Sequence, residues 1–222
     1  MLDGSRIMAS RKNWVDYIRN LPKGTLGQTA YQKFLLAWDG EKGKARDRSF
    51  LRLIAREYFR IVGTAQRKFA PNHLVFGECF SFDNLVPEVF EEMQHYVDAI
   101  AIQPPFQSNF PKEKLDEIHK MSGKPILLCD FAVRFLDSDK DINGWKPEAN
   151  SIEGGKAYAR YIRQAFNTGY IIGSFWCNPE DSGRGFGNEG VKQGFFNEGI
   201  LPRLGLYQSV QEVNKMTPVK EN

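Results

Sequence analysis

The 222-residue sequence has no long apolar run and little net charge, and each absence excludes a class of protein. No stretch is long and apolar enough to span a membrane. Residues 1–12 are polar and basic and lack the apolar centre of a secretory signal. The net charge is only +3 and the basic residues are scattered, which argues against a nucleic-acid partner.

The sequence also lacks the patterns of a metal or nucleotide site. It contains three cysteines, in apolar strand-like runs and without metal-ligand spacing, so we expect buried free thiols: Cys79, Cys129 and Cys177. The glycines at 183–190 follow an apolar run but lead to no helix, which does not favour a phosphate or dinucleotide site. We therefore predict no metal and no cofactor.

What the sequence does contain is an alternation of short apolar runs and amphipathic segments. The apolar runs are unalternating and of strand length, as in strands buried on both faces: 73–80, 97–105, 124–131 and 169–179. Helical patterns follow each of them in turn: 87–96, 111–121, 151–169 and 204–214. This repeated β-α order predicts a parallel sheet.

The first 70 residues carry helical patterns only, at 13–20, 30–38 and 48–69. A closed (β/α)₈ barrel needs eight strands and about 250 residues. Four β-α units after a long helix therefore predict half of such a barrel, and its second half, strands five to eight. We expect residues 1–222 to form one partial barrel domain, with 1–70 as a helical lead-in and 71–222 as the four units.

Asp130 stands at the end of the otherwise apolar run 124–131. A buried carboxylate is costly unless it is paired or used, and reacting groups of (β/α)₈ enzymes stand at the carboxyl ends of strands. Asp130 is therefore a candidate catalytic residue, with a helix cap or a salt-bridged loop position as the structural alternative.

Other polar or aromatic residues follow the predicted strands, and together they suit a sugar, whose apolar face an aromatic ring can cover. The candidates are Glu78, Gln103, Trp176, Asn178 and Asp181. Each has a structural alternative: Trp176 as core, Gln103 as the strand end before two prolines, and Asn178 and Asp181 as turn formers.

In the order and spacing of its segments the chain resembles the carboxyl-terminal half of the β-agarase-type glycoside hydrolases, which belong to a large clan of retaining (β/α)₈ glycosidases. The resembling pieces run almost end to end: 13–35, 49–80, 96–103, 123–131, 173–182 and 194–214. The resemblance implies a catalytic nucleophile at Asp130, a sugar platform at Trp176 and a substrate-side polar residue at Gln103.

The chain departs from the family pattern at several positions. Asp130 replaces the usual glutamate, Ala132 stands where a histidine is common, and Pro104 and Pro105 replace an aromatic residue at the end of strand six. The family's acid/base glutamate belongs to strand four, upstream of the matching segments. Glu78 is a candidate second carboxylate, at the wider spacing of about 6.5–9.5 Å that suits an inverting pair.

The resemblance implies a glycoside hydrolase-like protein, derived from a retaining enzyme that acts on galactan or agarose-type polysaccharide. Two alternatives remain open: an inactive half barrel that binds carbohydrate or completes a barrel with a partner chain, and an enzyme of another half-barrel type. Two open sheet edges predict a homodimer or a partner chain that supplies the first half. The location would be extracellular or periplasmic if the parent enzyme is secreted.

Overall fold

The computed structural model describes residues 11–82, 85–105, 108–135, 147–181, 192–197 and 199–215. The glycine-rich segment 183–190 lies outside the described residues. The chain divides into two compact units, one formed by Met1–Glu78 with Asp83–Asp98 and the other by Cys79–Phe82 with Ala99–Asn222. That residues 1–222 act as one domain stays a prediction.

The first unit is helical. Its helices are α1 (Arg11–Arg19), α2 (Leu26–Ala37), α3 (Lys44–Phe69) and α4 (Pro87–Met93). Thr25 caps α2 with a side-chain oxygen that accepts from the Gln28 N–H, which satisfies a donor left free at a helix start. A small core joins α1, α2 and α3, and the Tyr31 and Phe50 rings meet edge to face at 4.8 Å within it.

A ladder of ion pairs joins α3 to α4. Three arginines that follow one another by one helical turn each contact a glutamate: Arg48–Glu88, Arg52–Glu91 (2.5 Å) and Arg56–Glu92 (2.9 Å). The side chain of Glu88 is only 2% exposed, whereas Arg48 stays half in solvent. The ladder therefore places glutamates of α4 against the basic stripe of α3.

The second unit holds the sheet. Its strands are β1 (Cys79–Ser81), β2 (Ile100–Gln103), β3 (Ile126–Phe131) and β4 (Ile171–Trp176), parallel and in the order β1-β2-β3-β4. Its helices are α5 (Lys112–Ser122), α6 (Ser151–Phe166) and α7 (Leu204–Lys215). The predicted parallel β-α alternation is confirmed, and the fold is that of a partial (β/α) barrel.

One strand begins later than the sequence predicts. Residues 73–80 read as a strand, yet β1 starts only at Cys79. Gly77 has φ +71°, in the left-handed region, and a Cβ there would lie 2.5 Å from the Met93 sulfur. The backbone turns at Gly77, and the pairing of β1 with β2 begins only after this turn, at Cys79 opposite Ala101.

The helix ends follow local chemistry. Asn150 caps α6 by accepting hydrogen bonds from the Ile152 and Glu153 N–H groups. Gly123 ends α5 in the left-handed conformation (φ +64°), which glycine adopts without strain. None of the helices in the described part of the chain is long and apolar enough to cross a membrane.

Candidate functional site

Asp130 lies in a β-bulge at the carboxyl end of β3. Leu128 pairs with Ser174, and Phe131 pairs with Trp176, so β3 has one residue more than β4 over this stretch. A bulge of this kind bends the strand and redirects a side chain. The register therefore breaks at the residue that the sequence singles out.

The bulge decides which way Asp130 faces. Ile126 and Leu128 are fully buried, and strict alternation would place Asp130 on their face. The extra residue lets Phe131 take the buried position instead, and Asp130 is exposed. The carboxylate thus reaches solvent without the cost of burial.

Two neighbouring strand ends share an unusual backbone conformation. Asp130 has φ +50° and Asn178, just after β4, has φ +57°. Non-glycine residues rarely adopt this region, and aspartate and asparagine are among those that tolerate it best. Such conformations concentrate at active sites and ligand contacts, so the two residues mark this edge of the sheet.

The cysteines are less buried than the sequence predicts, which corrects that prediction: Cys79 is exposed, and Cys129 and Cys177 are half-buried. Burial raises the pKa of the Cys177 thiol, and the negative charge of Asp130 raises that pKa further. A hydrogen bond with Cys79 lowers the pKa of Cys129. Cys79 is exposed because it takes the outward position of an alternating pattern on β1, in which Phe80 is buried.

Trp176 ends β4, and its half-buried indole is held by packing and by one hydrogen bond. The ring contacts Phe195 at 4.9 Å, Tyr158 at 5.3 Å and Phe131 at 6.1 Å between centroids. Its Nε1–H donates to the Gln193 carbonyl at 3.0 Å. Because Phe131 and Trp176 pair across the strands, Asp130 and Trp176 come from adjacent strand ends.

Asp181 has its carboxylate engaged within the protein. Its side chain is 0% exposed and accepts from Arg203 at 2.5 Å. Its Oδ1 accepts from the backbone N–H groups of Gln193 (3.1 Å) and Gly194 (3.0 Å), and the Lys192 ammonium lies 3.6 Å from Oδ2. Substrate binding by Asp181 stays a prediction, and its contacts are those of a residue that holds a loop.

The remaining candidates lie at separate places. Gln103 is half-buried at the end of β2 and pairs with Ser81 of β1. Asn178 is exposed. Glu78 belongs to the first unit, where its carboxylate accepts from the Tyr58 hydroxyl at 3.2 Å. The pairing of Glu78 with Asp130 stays a prediction.

Gln193 is a site residue that sequence reasoning missed. It is 3% exposed, accepts from the Arg134 Nε at 3.3 Å and donates from Nε2 to the Cys177 carbonyl at 2.9 Å. No pattern signals it, since it lies in an irregular segment and its partners are distant in sequence. Among the residues that the structure describes, no group of three or more His, Cys, Asp or Glu is placed to hold a metal ion.

No family model matches the sequence, and no curated protein matches it significantly. Solved structures do match. An agarase, AgWH50C, is 22% identical with a TM-score of 0.74 and aligns with 90% of this chain and 31% of its own. PfGH50B is 24% identical with a TM-score of 0.69, over 78% of this chain and 25% of its own.

An exo-β-agarase is 25% identical with a TM-score of 0.66, over 77% of this chain and 24% of its own. Xylanase 10B from Thermotoga petrophila matches more weakly, at 16% identity and a TM-score of 0.53. The chain thus spans about a quarter to a third of the agarase structures that it matches. It is similar in structure to the GH50 β-agarases, and its fold is that of part of a (β/α)₈-barrel glycoside hydrolase.

Proposed function

We propose that this chain is the sugar-binding second half of an agarase-type glycoside hydrolase barrel and that it takes galactose-containing polysaccharide, with Asp130 at the nucleophile position. One observation carries the proposal: a β-bulge exposes Asp130 at the carboxyl end of β3, next to the strand that ends in Trp176. Reacting groups of (β/α)₈ enzymes come from strand ends at this face.

The chemistry assigns separate roles to the two side chains. The half-exposed indole of Trp176 covers the apolar face of a pyranose ring, and the carboxylate of Asp130 reaches its anomeric carbon or hydroxyls. A retaining mechanism needs a second carboxylate about 5–5.5 Å from the first, as general acid and base. Glu78 is the candidate second carboxylate within this chain, at the wider spacing of about 6.5–9.5 Å that suits an inverting pair. For a retaining pair the candidate is a residue from a barrel half supplied in trans.

Binding without hydrolysis is the second candidate function, and the identity of Asp130 favours it. Aspartate is one methylene shorter than the family's glutamate, which withdraws the carboxylate by about 1.5 Å. A displacement of about 1 Å can cost on the order of a hundredfold in rate.

A titration with sugars tests the proposal. We expect an agarose-derived tetrasaccharide to bind the purified chain, and a cellulose-derived tetrasaccharide to bind at least tenfold more weakly. Trp176→Ala should abolish binding. Phe69→Ala is the control, because Phe69 is also a large aromatic residue and is 78% exposed at the end of α3, and it should leave the affinity unchanged.

The release of reducing ends from agarose then separates the two candidates. Hydrolysis that is lost in Asp130→Asn, with binding retained, supports a catalytic Asp130. Binding without hydrolysis supports the second candidate. The absence of binding to both tetrasaccharides would refute the proposed function.

A further inference from the structure

The indole of Trp176 is fixed by a peptide group rather than by a side chain. Its Nε1–H donates to the carbonyl oxygen of Gln193 at 3.0 Å. The next N–H along the chain, that of Gly194, donates to Asp181 Oδ1 at 3.0 Å. These two bonds use the two ends of one peptide unit.

A trans peptide is planar, and its C=O and N–H point in opposite directions. Among the described residues there is no cis peptide bond. The Asp181 carboxylate, which fixes the Gly194 N–H, therefore also fixes the direction of the Gln193 carbonyl that receives the indole. The second hydrogen bond to Oδ1, from the Gln193 N–H at 3.1 Å, holds the preceding peptide as well.

The Asp181 carboxylate is itself anchored within the protein. It is fully buried and accepts from Arg203 at 2.5 Å. A Cβ on Gly194 would lie 2.4 Å from the Asp181 nitrogen and from the Glu180 carbonyl carbon, so the backbones approach as closely as glycine allows. The Gln193 side chain adds a third anchor through its hydrogen bond to the Cys177 carbonyl.

We propose that Asp181 and Gln193 are positioning residues for the sugar platform: through the 193–194 peptide they hold the Trp176 indole in one orientation at the open end of β4. The polar edge of the indole is bonded inside the protein, and the half-exposed ring is presented to the apolar face of a pyranose. This inference rests on the proposed function for its ligand, though not for its geometry.

Hydrogen exchange of the Trp176 indole N–H measures directly how firmly the 193–194 peptide holds the indole. The exchange is followed by ¹⁵N NMR, and the signal is assigned with Trp176→Phe. We expect Asp181→Asn and Gln193→Met each to raise its exchange rate at least tenfold. The Ile126 backbone N–H, which donates to the Tyr170 carbonyl at 2.9 Å at the other end of the sheet, should keep its rate and so report that the unit remains folded.

Asp116→Asn is the matched control, because Asp116 accepts from Tyr170 at 2.5 Å near the start of β4. It should leave the exchange of the indole unchanged. If Asp181→Asn does not fold, Gln193→Met decides, since it keeps the backbone and the buried carboxylate. If the exchange rate of the indole N–H is unchanged in every folded variant, Asp181 and Gln193 do not position the indole, and the proposal is wrong.

Sugar affinity is read in parallel. A loss of at least fivefold in affinity for the agarose-derived tetrasaccharide in the same variants supports the positioning role. An unchanged affinity together with faster exchange of the indole N–H would contradict that role. If the unsubstituted chain binds no sugar, the proposed function is wrong. The exchange rates still decide whether Asp181 and Gln193 hold the indole in place.

Discussion

Replacement of Asp130 by glycine tests whether the bulge stores backbone strain. Asp130 has φ +50°, and a non-glycine residue in the left-handed region costs roughly 1–2 kcal/mol. Glycine removes that cost, but it also destabilises the folded state by about 0.4–1 kcal/mol, because the unfolded chain gains conformational freedom. The side chain is exposed, so little packing is lost.

We therefore expect Asp130→Gly to raise the free energy of unfolding by up to about 1.5 kcal/mol, the difference of those two effects. For a chain of this length a change of 1 kcal/mol moves Tm by about 2–4 °C. Asp130→Asn, which tolerates the same backbone region, should change the free energy of unfolding by less than about 0.5 kcal/mol. Asp130→Val should lower it by about 1–2 kcal/mol, because a β-branched residue fits this region poorly.

Urea denaturation followed by circular dichroism gives these differences, with the m-value as the check that the unfolded state is unchanged. If Asp130→Gly destabilises the protein by more than about 1 kcal/mol, the side chain itself holds the bulge, and the strain argument is wrong. A more stable glycine variant that has lost sugar binding would place Asp130 among residues kept for function at the expense of stability.

Three further predictions concern other parts of the chain. The hydrogen bond from Arg56, with the attraction between the two charges, lowers the pKa of Glu92 below its ordinary value of 4.5. The stability that this pair contributes should therefore be present above pH 4.5 and be lost as acid protonates the carboxylate. In Glu92→Gln, the free energy of unfolding should fall less steeply as the pH is lowered through this range. The Tyr161 hydroxyl is buried and has no hydrogen-bond partner among the described residues; Tyr161→Phe should therefore not lower the free energy of unfolding, and a loss above about 1 kcal/mol in urea would reveal a partner. Phe175 is 62% exposed on the edge strand β4. Sedimentation at micromolar concentration should show a dimer of the unsubstituted chain and a monomer of Phe175→Lys. A well-folded monomer of the unsubstituted chain would contradict the predicted dimer.

The sequence predicted the elements well because their signals are local. Apolar runs and helical spacing located the helices and the strands β2 to β4, whereas the run 73–80 overlaps β1 only at its end. Asp130 stood out as a charge at the end of an apolar run. The bulge could not be predicted, because it exists only in the pairing of β3 with β4. The roles of Gln193 and Asp181 arise from contacts that the folded chain creates, such as the one between Asp181 and Arg203.

The ion pairs between α3 and α4 favour one alignment of the two helices over alignments shifted along the helix axis. Exposed ion pairs contribute little stability each, so the net gain from Arg52–Glu91 is small. The buried carboxylate of Glu88, which pairs with Arg48, matters more, because an alignment that left it without any cation would place an uncompensated charge in the interior at a cost of several kcal/mol. The ladder thus adds little to the stability of the observed alignment, and it disfavours those alignments in which Glu88 contacts no arginine.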